Sequence, residues 1–211
     1  GSARPLKSWP YEEGAKVKLF VLAGHRNMEG ERAFIQDLEK PPRRSKKAPL
    51  LKDNWRVAYR YSLGGGYKTS DGWEPLGPAG FYDTFGPELS FGSALSKKLR
   101  NEPFAVAKFT HSGSQIIDWT PEGSEATTRN LYPSFVKFIQ ESMQELTDRG
   151  QEVELAGVLY HIGENDMSWS ISRTSGSSDM VVKIIAPVTD RLAVGVEPAC
   201  RGQASKYRVE M

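Results

Sequence analysis

Apolar positions along the chain gather into three short runs and two helical stripes. Val17 to Ala23 is apolar at nearly every position, as a strand covered on both faces should be. Phe104 to Phe109 and Val153 to Tyr160 read as two further buried strands. Each run empties into a polar, glycine-bearing turn: Gly24 to Gly30, then His111-Ser112-Gly113-Ser114, then His161-Ile162-Gly163-Glu164-Asn165-Asp166. Between the runs lie helical patterns. Pro87 stands in the first turn of one, where its missing donor is harmless, and Phe91, Leu95 and Leu99 follow on one face. Asn130, a good cap, opens the other, whose stripe is Leu131, Phe135, Phe138, Ile139, Met143 and Leu146 before Gly150 ends it. Strand, helix, strand, helix, strand with right-handed crossovers predicts a parallel α/β sheet with helices on both faces.

The stretches between are less regular. Residues 1–16 mix Pro5, Trp9, Pro10 and Gly14 with charges and read as a surface leader to a single domain at 17–211. Glu31 to Glu39 continues as a short helix that Pro41 and Pro42 stop. Trp55 to Tyr61 alternates like a strand, and its two arginines place it at a sheet edge. Gly64 to Gly86 is a long glycine- and proline-rich loop carrying Tyr67, Trp73, Phe81, Tyr82 and Phe85. Loops of that length have a function or are disordered; these aromatics form either a sugar-stacking wall or a lid over the core. From Met167 to Asp179 serine and glycine are too frequent for a helix. Met180 to Val188 reads as a strand and Leu192 to Val196 as another.

Composition narrows the function classes. The 211 residues suit one α/β domain. With 28 basic and 26 acidic side chains the net charge is +2, which gives no field pointing to nucleic acid or a membrane surface. The basic run Arg43 to Lys47, bracketed by prolines, reads as a solvated loop. Cys200 is the lone cysteine, so no internal disulfide forms. No apolar run approaches the ~20 residues that cross a bilayer, and the chain reads as soluble. The sequence opens on Gly-Ser without a signal peptide, which leaves export open. Three histidines without ligand spacing make no metal site, and no nucleotide-cofactor fingerprint is present.

The turns carry a family resemblance. VKLFVLAGHRNMEG at 17–30 resembles the first block of the SGNH (GDSL-like) hydrolases, in particular the carbohydrate acetylesterase and sialate O-acetylesterase group, which read L-A-G-Q-S-N-M-x-G. The slot of the nucleophilic serine holds Arg26, and the glutamine slot holds His25. GPELSFG at 86–92 resembles the group's G-P-E-x-x-F-G segment, KFTHSGSQIIDW at 108–119 its second block and GEND at 163–166 its third. The resemblance spans 17–169, leaving 170–211 divergent and the C-terminal part shortened or altered. It implies a three-layer, flavodoxin-like fold and an oxyanion hole built from the backbone N–H of Gly113 and the side-chain amide of Asn165. Donors fixed beforehand around a developing negative charge are what such a site requires.

The same resemblance marks His25, Asn27, Glu164 and Trp119 as candidate substrate-binding residues. It also shows what is absent, because the family takes its base from a late Asp-x-x-His and no histidine follows His161. Arg26 keeps its proton at any relevant pH and is neither nucleophile nor base. Ser112 and Ser114 are then the substitute nucleophiles, His111 and His161 the substitute bases, and Asp118 and Asp166 their nearest carboxylates. Three expectations follow: an esterase acting on short-acyl esters of sugars, a non-catalytic binder of acidic or acetylated saccharides held by Arg26, or an assembly protein, such as a homo-oligomer, whose sheet edge a second chain covers.

Overall fold

The computed structural model describes residues 4–39, 48–125, 129–163, 165, 193–195 and 208–210. The chain divides into two compact units, 1–112 with 141–161 and 113–140 with 162–211. In the first unit six strands form one sheet among the described residues. They are β1 (Lys16–Gly24), β2 (Asn54–Leu63), β3 (Lys68–Thr69), β4 (Glu74–Leu76), β5 (Phe104–Thr110) and β6 (Glu152–His161). Their order is β3-β2-β5-β1-β6, with β4 also on β2. β1 lies parallel to both β5 and β6, and β2 lies parallel to β5. The carboxyl ends of the four long strands therefore share one edge, where an open α/β sheet places its chemistry.

Alternation sorts the core onto two faces. Phe20, Leu22, Val57, Tyr59, Tyr61, Leu63, Phe104 and Val106 pack on one face with Phe91, Leu95 and Leu99 of the helix Glu88–Leu99. Two short helices, α1 (Arg26–Glu29) and α2 (Ile35–Glu39), precede that helix, which is α3. Arg60 points the other way and pairs with Glu145 at 2.9 Å, on the last turns of α4 (Tyr132–Asp148). Helices thus cover both faces, as the strand and helix spacing predicts.

Several expectations need correction. β2 is not an edge strand, since β5 flanks it on one side and β3 and β4 on the other. Its Arg60 is tolerated there because Glu145 neutralises it while its side chain stays 14% exposed. The long loop contains β3 and β4, both antiparallel to β2, so the sheet is mixed. β6 is half-buried and not fully buried, because it ends the described strand order. The helix expected from Glu31 begins only at Ile35, because Phe34 first bridges Thr84. One residue ahead of β1 reaches the core: Tyr11 is buried, donates to the carbonyl of Phe104 at 2.5 Å and accepts from the N–H of Ala58 at 2.9 Å, among neighbours that stay at the surface.

In the second unit Ile116–Trp119 forms a 3-10 turn. Its Asp118 carboxylate accepts from the N–H of Gln115 at 2.7 Å, and the Asp118 carbonyl accepts from the N–H of Leu131 at 2.7 Å. Trp119 is wholly buried, edge-on to Phe135 at 5.4 Å. Ala193–Gly195 pairs antiparallel with Arg208–Glu210, in accord with the strand expected over 192–196. The strand expected over 180–188 lies outside the described residues.

Candidate functional site

The first polar turn leaves the sheet edge between two neighbours. The N–H of His25 donates to the carbonyl of His161 at 3.0 Å, and the N–H of His111 donates to the carbonyl of Gly24 at 3.0 Å. Gly24 has φ +147°, and a Cβ there would lie 1.9 Å from the His161 carbonyl oxygen, so only glycine lets the strand turn out here. α1 is a single turn closed at Gly30, in the left-handed region at φ +93°. A Cβ on Gly30 would meet the Phe85 carbonyl oxygen at 2.0 Å. Gly30 thereby ends the helix and lets the 79–86 loop press against it.

Arg26 rises from this turn, half-exposed, on a cleft of about 290 Å³ lined by Arg26, Asn27, Gly30, Glu31, Arg32 and Ala33. Its Nε lies 3.7 Å from Oε2 of Glu31. The same oxygen accepts a 2.8 Å hydrogen bond from Oγ of Ser112. One carboxylate therefore stands between the guanidinium and the serine hydroxyl. The His111 ring has its Nδ1 2.8 Å from the Ser112 carbonyl oxygen, a contact that places the proton on Nδ1.

Behind the turn lies a buried ionic network. Lys108, in the middle of β5, is 0% exposed and pairs with Glu88, also 0% exposed, at 2.8 Å. Its ammonium also donates to the carbonyls of Ala79 at 2.9 Å and Glu29 at 3.1 Å, using all three of its donors. The other Glu88 oxygen accepts from the N–H groups of Gly86 at 2.9 Å and Ala79 at 3.1 Å. Glu29 accepts from Thr110 Oγ1 at 2.8 Å and the N–H of Gly64 at 3.1 Å. Buried charges survive only when paired and hydrogen-bonded. These contacts tie α1, the G-P-E segment and two strand ends into one frame beneath Arg26.

Of the sequence candidates, the structure brings Arg26, Asn27, His111 and Ser112 together in the first unit. His25 is wholly buried, and His161 is exposed at the end of β6. Gly113, Ser114, Trp119 and Asn165 belong to the second unit. There Ser114 is buried and accepts from Nε1 of Trp119 at 3.0 Å, and Gly113 takes φ +90°. Glu164 and Asp166 lie outside the described residues. The site residues that sequence reasoning missed are Glu31, Glu29, Glu88 and Lys108. The signal was there for Lys108, because a lysine in an otherwise apolar strand must find a carboxylate. Among the described residues no three His, Cys, Asp or Glu side chains gather as a metal site, and no helix is long and apolar enough to cross a membrane.

A family model described as carbohydrate esterase, sialic acid-specific acetylesterase, matches residues 16–193. No curated protein matches the chain. Among solved structures, an X-ray structure of a protein from Arabidopsis thaliana is similar with a TM-score of 0.53 at 20% identity, over 77% of this chain and 64% of that one. This chain thus spans less than two thirds of that protein's length, and the likeness is one of fold.

Proposed function

We propose that this chain, which belongs to the sialic acid-specific acetylesterase family of carbohydrate esterases, holds an acidic or acetylated saccharide at the Arg26 cleft without hydrolysing it. Ester hydrolysis by the family's route needs a nucleophile on the turn after β1, and a guanidinium cannot supply one. What a guanidinium does well is grip a carboxylate with two parallel hydrogen bonds. The observation that carries this reading is Arg26 on the wall of the cleft, with Glu31 at 3.7 Å. That ion pair is open to solvent, with 40% and 38% of the two side chains exposed, so a sugar carboxylate entering the cleft competes with Glu31 for the guanidinium.

Calorimetry with N-acetylneuraminic acid and galacturonic acid tests the proposal. Binding that Arg26→Ala weakens about tenfold or more, the loss expected of a charge-assisted pair, supports it. Absence of heat, or equal heat after the substitution, overturns it.

A second reading rests on the 2.8 Å hydrogen bond from Ser112 to Glu31. A carboxylate at that distance is placed to take a hydroxyl proton, which would make Ser112 a nucleophile and Glu31 its base. Turnover of p-nitrophenyl acetate that disappears in Ser112→Ala would establish that route and end the non-catalytic one.

A further inference from the structure

Two tyrosines stand almost wholly in water on the segments between β2 and α3. Tyr67 is 88% exposed and Tyr82 90% exposed, so neither ring covers the core as a lid would. Phe81 neighbours both, its ring centroid 6.0 Å from that of Tyr67 and 6.3 Å from that of Tyr82, with tilts of 46° and 43°. The three rings form one cluster, which Phe81 anchors by packing partly buried against the core. Lys68 lies over the Phe81 ring at 6.0 Å and donates to the carbonyl of Gly80, which ties β3 to the loop.

The backbone that presents this surface is strained. Tyr82 and Asp83 are consecutive residues at φ +52° and +58°, a region where L-residues other than Asn, Asp and Gly are rare. The strain is held by the surrounding chain. The N–H of Thr84 donates to Phe81 at 3.2 Å, the N–H of Ile35 to Asp83 at 3.0 Å and the N–H of Phe85 to Ala33 at 3.0 Å. Strain maintained by several independent bonds marks functional segments. Here it presents to solvent a large ring that makes no use of burial.

We infer that Tyr67, Phe81 and Tyr82 are a stacking platform for further sugar units, so that the occupant of this site is an oligosaccharide and not a single sugar. The inference rests on the reading of the Arg26 cleft given above. The loop that carries Phe81 and Tyr82 adjoins that cleft, because Ala33, on the cleft wall, is bonded to Phe85 on the same loop. The C–H face of a pyranose carries partial positive charge and suits the negative face of an aromatic ring. Arg26 and Arg32 outnumber Glu31 on the cleft wall, and Lys68 beside Phe81 offsets Asp83 of the same loop, so the path carries a net positive charge, which favours an acidic chain over a neutral one.

The test compares N-acetylneuraminic acid with its tetramer by calorimetry on the full chain and on the double variant Tyr67→Ser, Tyr82→Asn. Asparagine accepts the left-handed backbone, so the fold survives, and the thermal midpoint checks this. The expected result is tetramer binding about tenfold or more tighter than monomer binding, with that gain erased in the double variant and monomer binding unchanged. A gain that persists in the variant, or no gain with length in the parent, overturns the platform. If Arg26→Ala abolishes monomer binding while the tyrosine changes do nothing, the cleft reading stands and the platform falls. If the tyrosine changes erase the gain while Arg26→Ala leaves binding intact, the platform stands and the cleft reading falls. Sedimentation showing a dimer that the double variant dissolves would assign the rings to a second copy and overturn the inference, and binding of neither sugar overturns both readings.

Discussion

Replacing Lys108 by methionine, close to it in volume, removes the cation at the centre of the frame. The loss can be worked from its partners. The Glu29 and Ala79 carbonyls lose their donor, and an orphaned buried acceptor costs roughly 1 kcal/mol or more. Glu88 keeps two N–H donors but loses its counter-charge at 0% exposure. Removing one partner of a buried pair generally costs about 3–5 kcal/mol, and the two orphaned carbonyls alone already account for roughly 2 of that. Against a typical stability of about 5–15 kcal/mol, this is roughly a fifth or more of the whole. Urea unfolding followed by the fluorescence of the five tryptophans should show the midpoint falling by roughly 1–2 M. Glu88→Gln in the Lys108→Met background should then cost little, giving a coupling energy of about 2 kcal/mol or more. A Lys108→Met protein within about 1 kcal/mol of the parent would refute the claim that this network holds the Arg26 turn.

Gly30→Ala should destabilise by about 3 kcal/mol or more in the same assay, since the new methyl clashes with the Phe85 carbonyl at a left-handed φ. Tyr11→Phe should cost about 1–3 kcal/mol, because the N–H of Ala58 is left buried without its acceptor. Burial pushes the Glu74 carboxyl above its ordinary 4.5, against a lowering hydrogen bond from the Asp71 N–H. The folded chain therefore binds the proton more tightly than the unfolded one, and Glu74 contributes stability that is full below pH 4.5 and is lost as pH rises through the raised folded value. Glu74→Gln should remove that slope, which unfolding midpoints measured from pH 4 to pH 7 would reveal.

The strands that form the centre of the sheet were legible because burial on both faces leaves an uninterrupted apolar run, as in Val17 to Ala23 and Phe104 to Phe109. β2 was readable as a strand but not in its place, because the arginine that suggests an edge is paired through space with Glu145, 85 residues away. β3 and β4, of two and three residues, are too short to show any period. The polar turn with Arg26 stood out by its departure from a family pattern. Glu31 and Ser112 did not show as partners, since 81 residues separate them and only the parallel register of β1 and β5 brings them side by side. The aromatic stretch left wall and lid open, because exposure is a property of the folded chain.

The hydroxyl of Tyr11 joins β2 to β5 just before their own pairing starts at Tyr59 and Val106. It acts as a surrogate rung where those two strands splay apart. Tyr11 leaves the ribosome long before Phe104 does, so this rung closes only after most of the sheet has been synthesised. The amino-terminal segment is thus a late latch on the end of the sheet opposite the cleft, and clipping it should loosen that end first while the carboxyl edge keeps its arrangement.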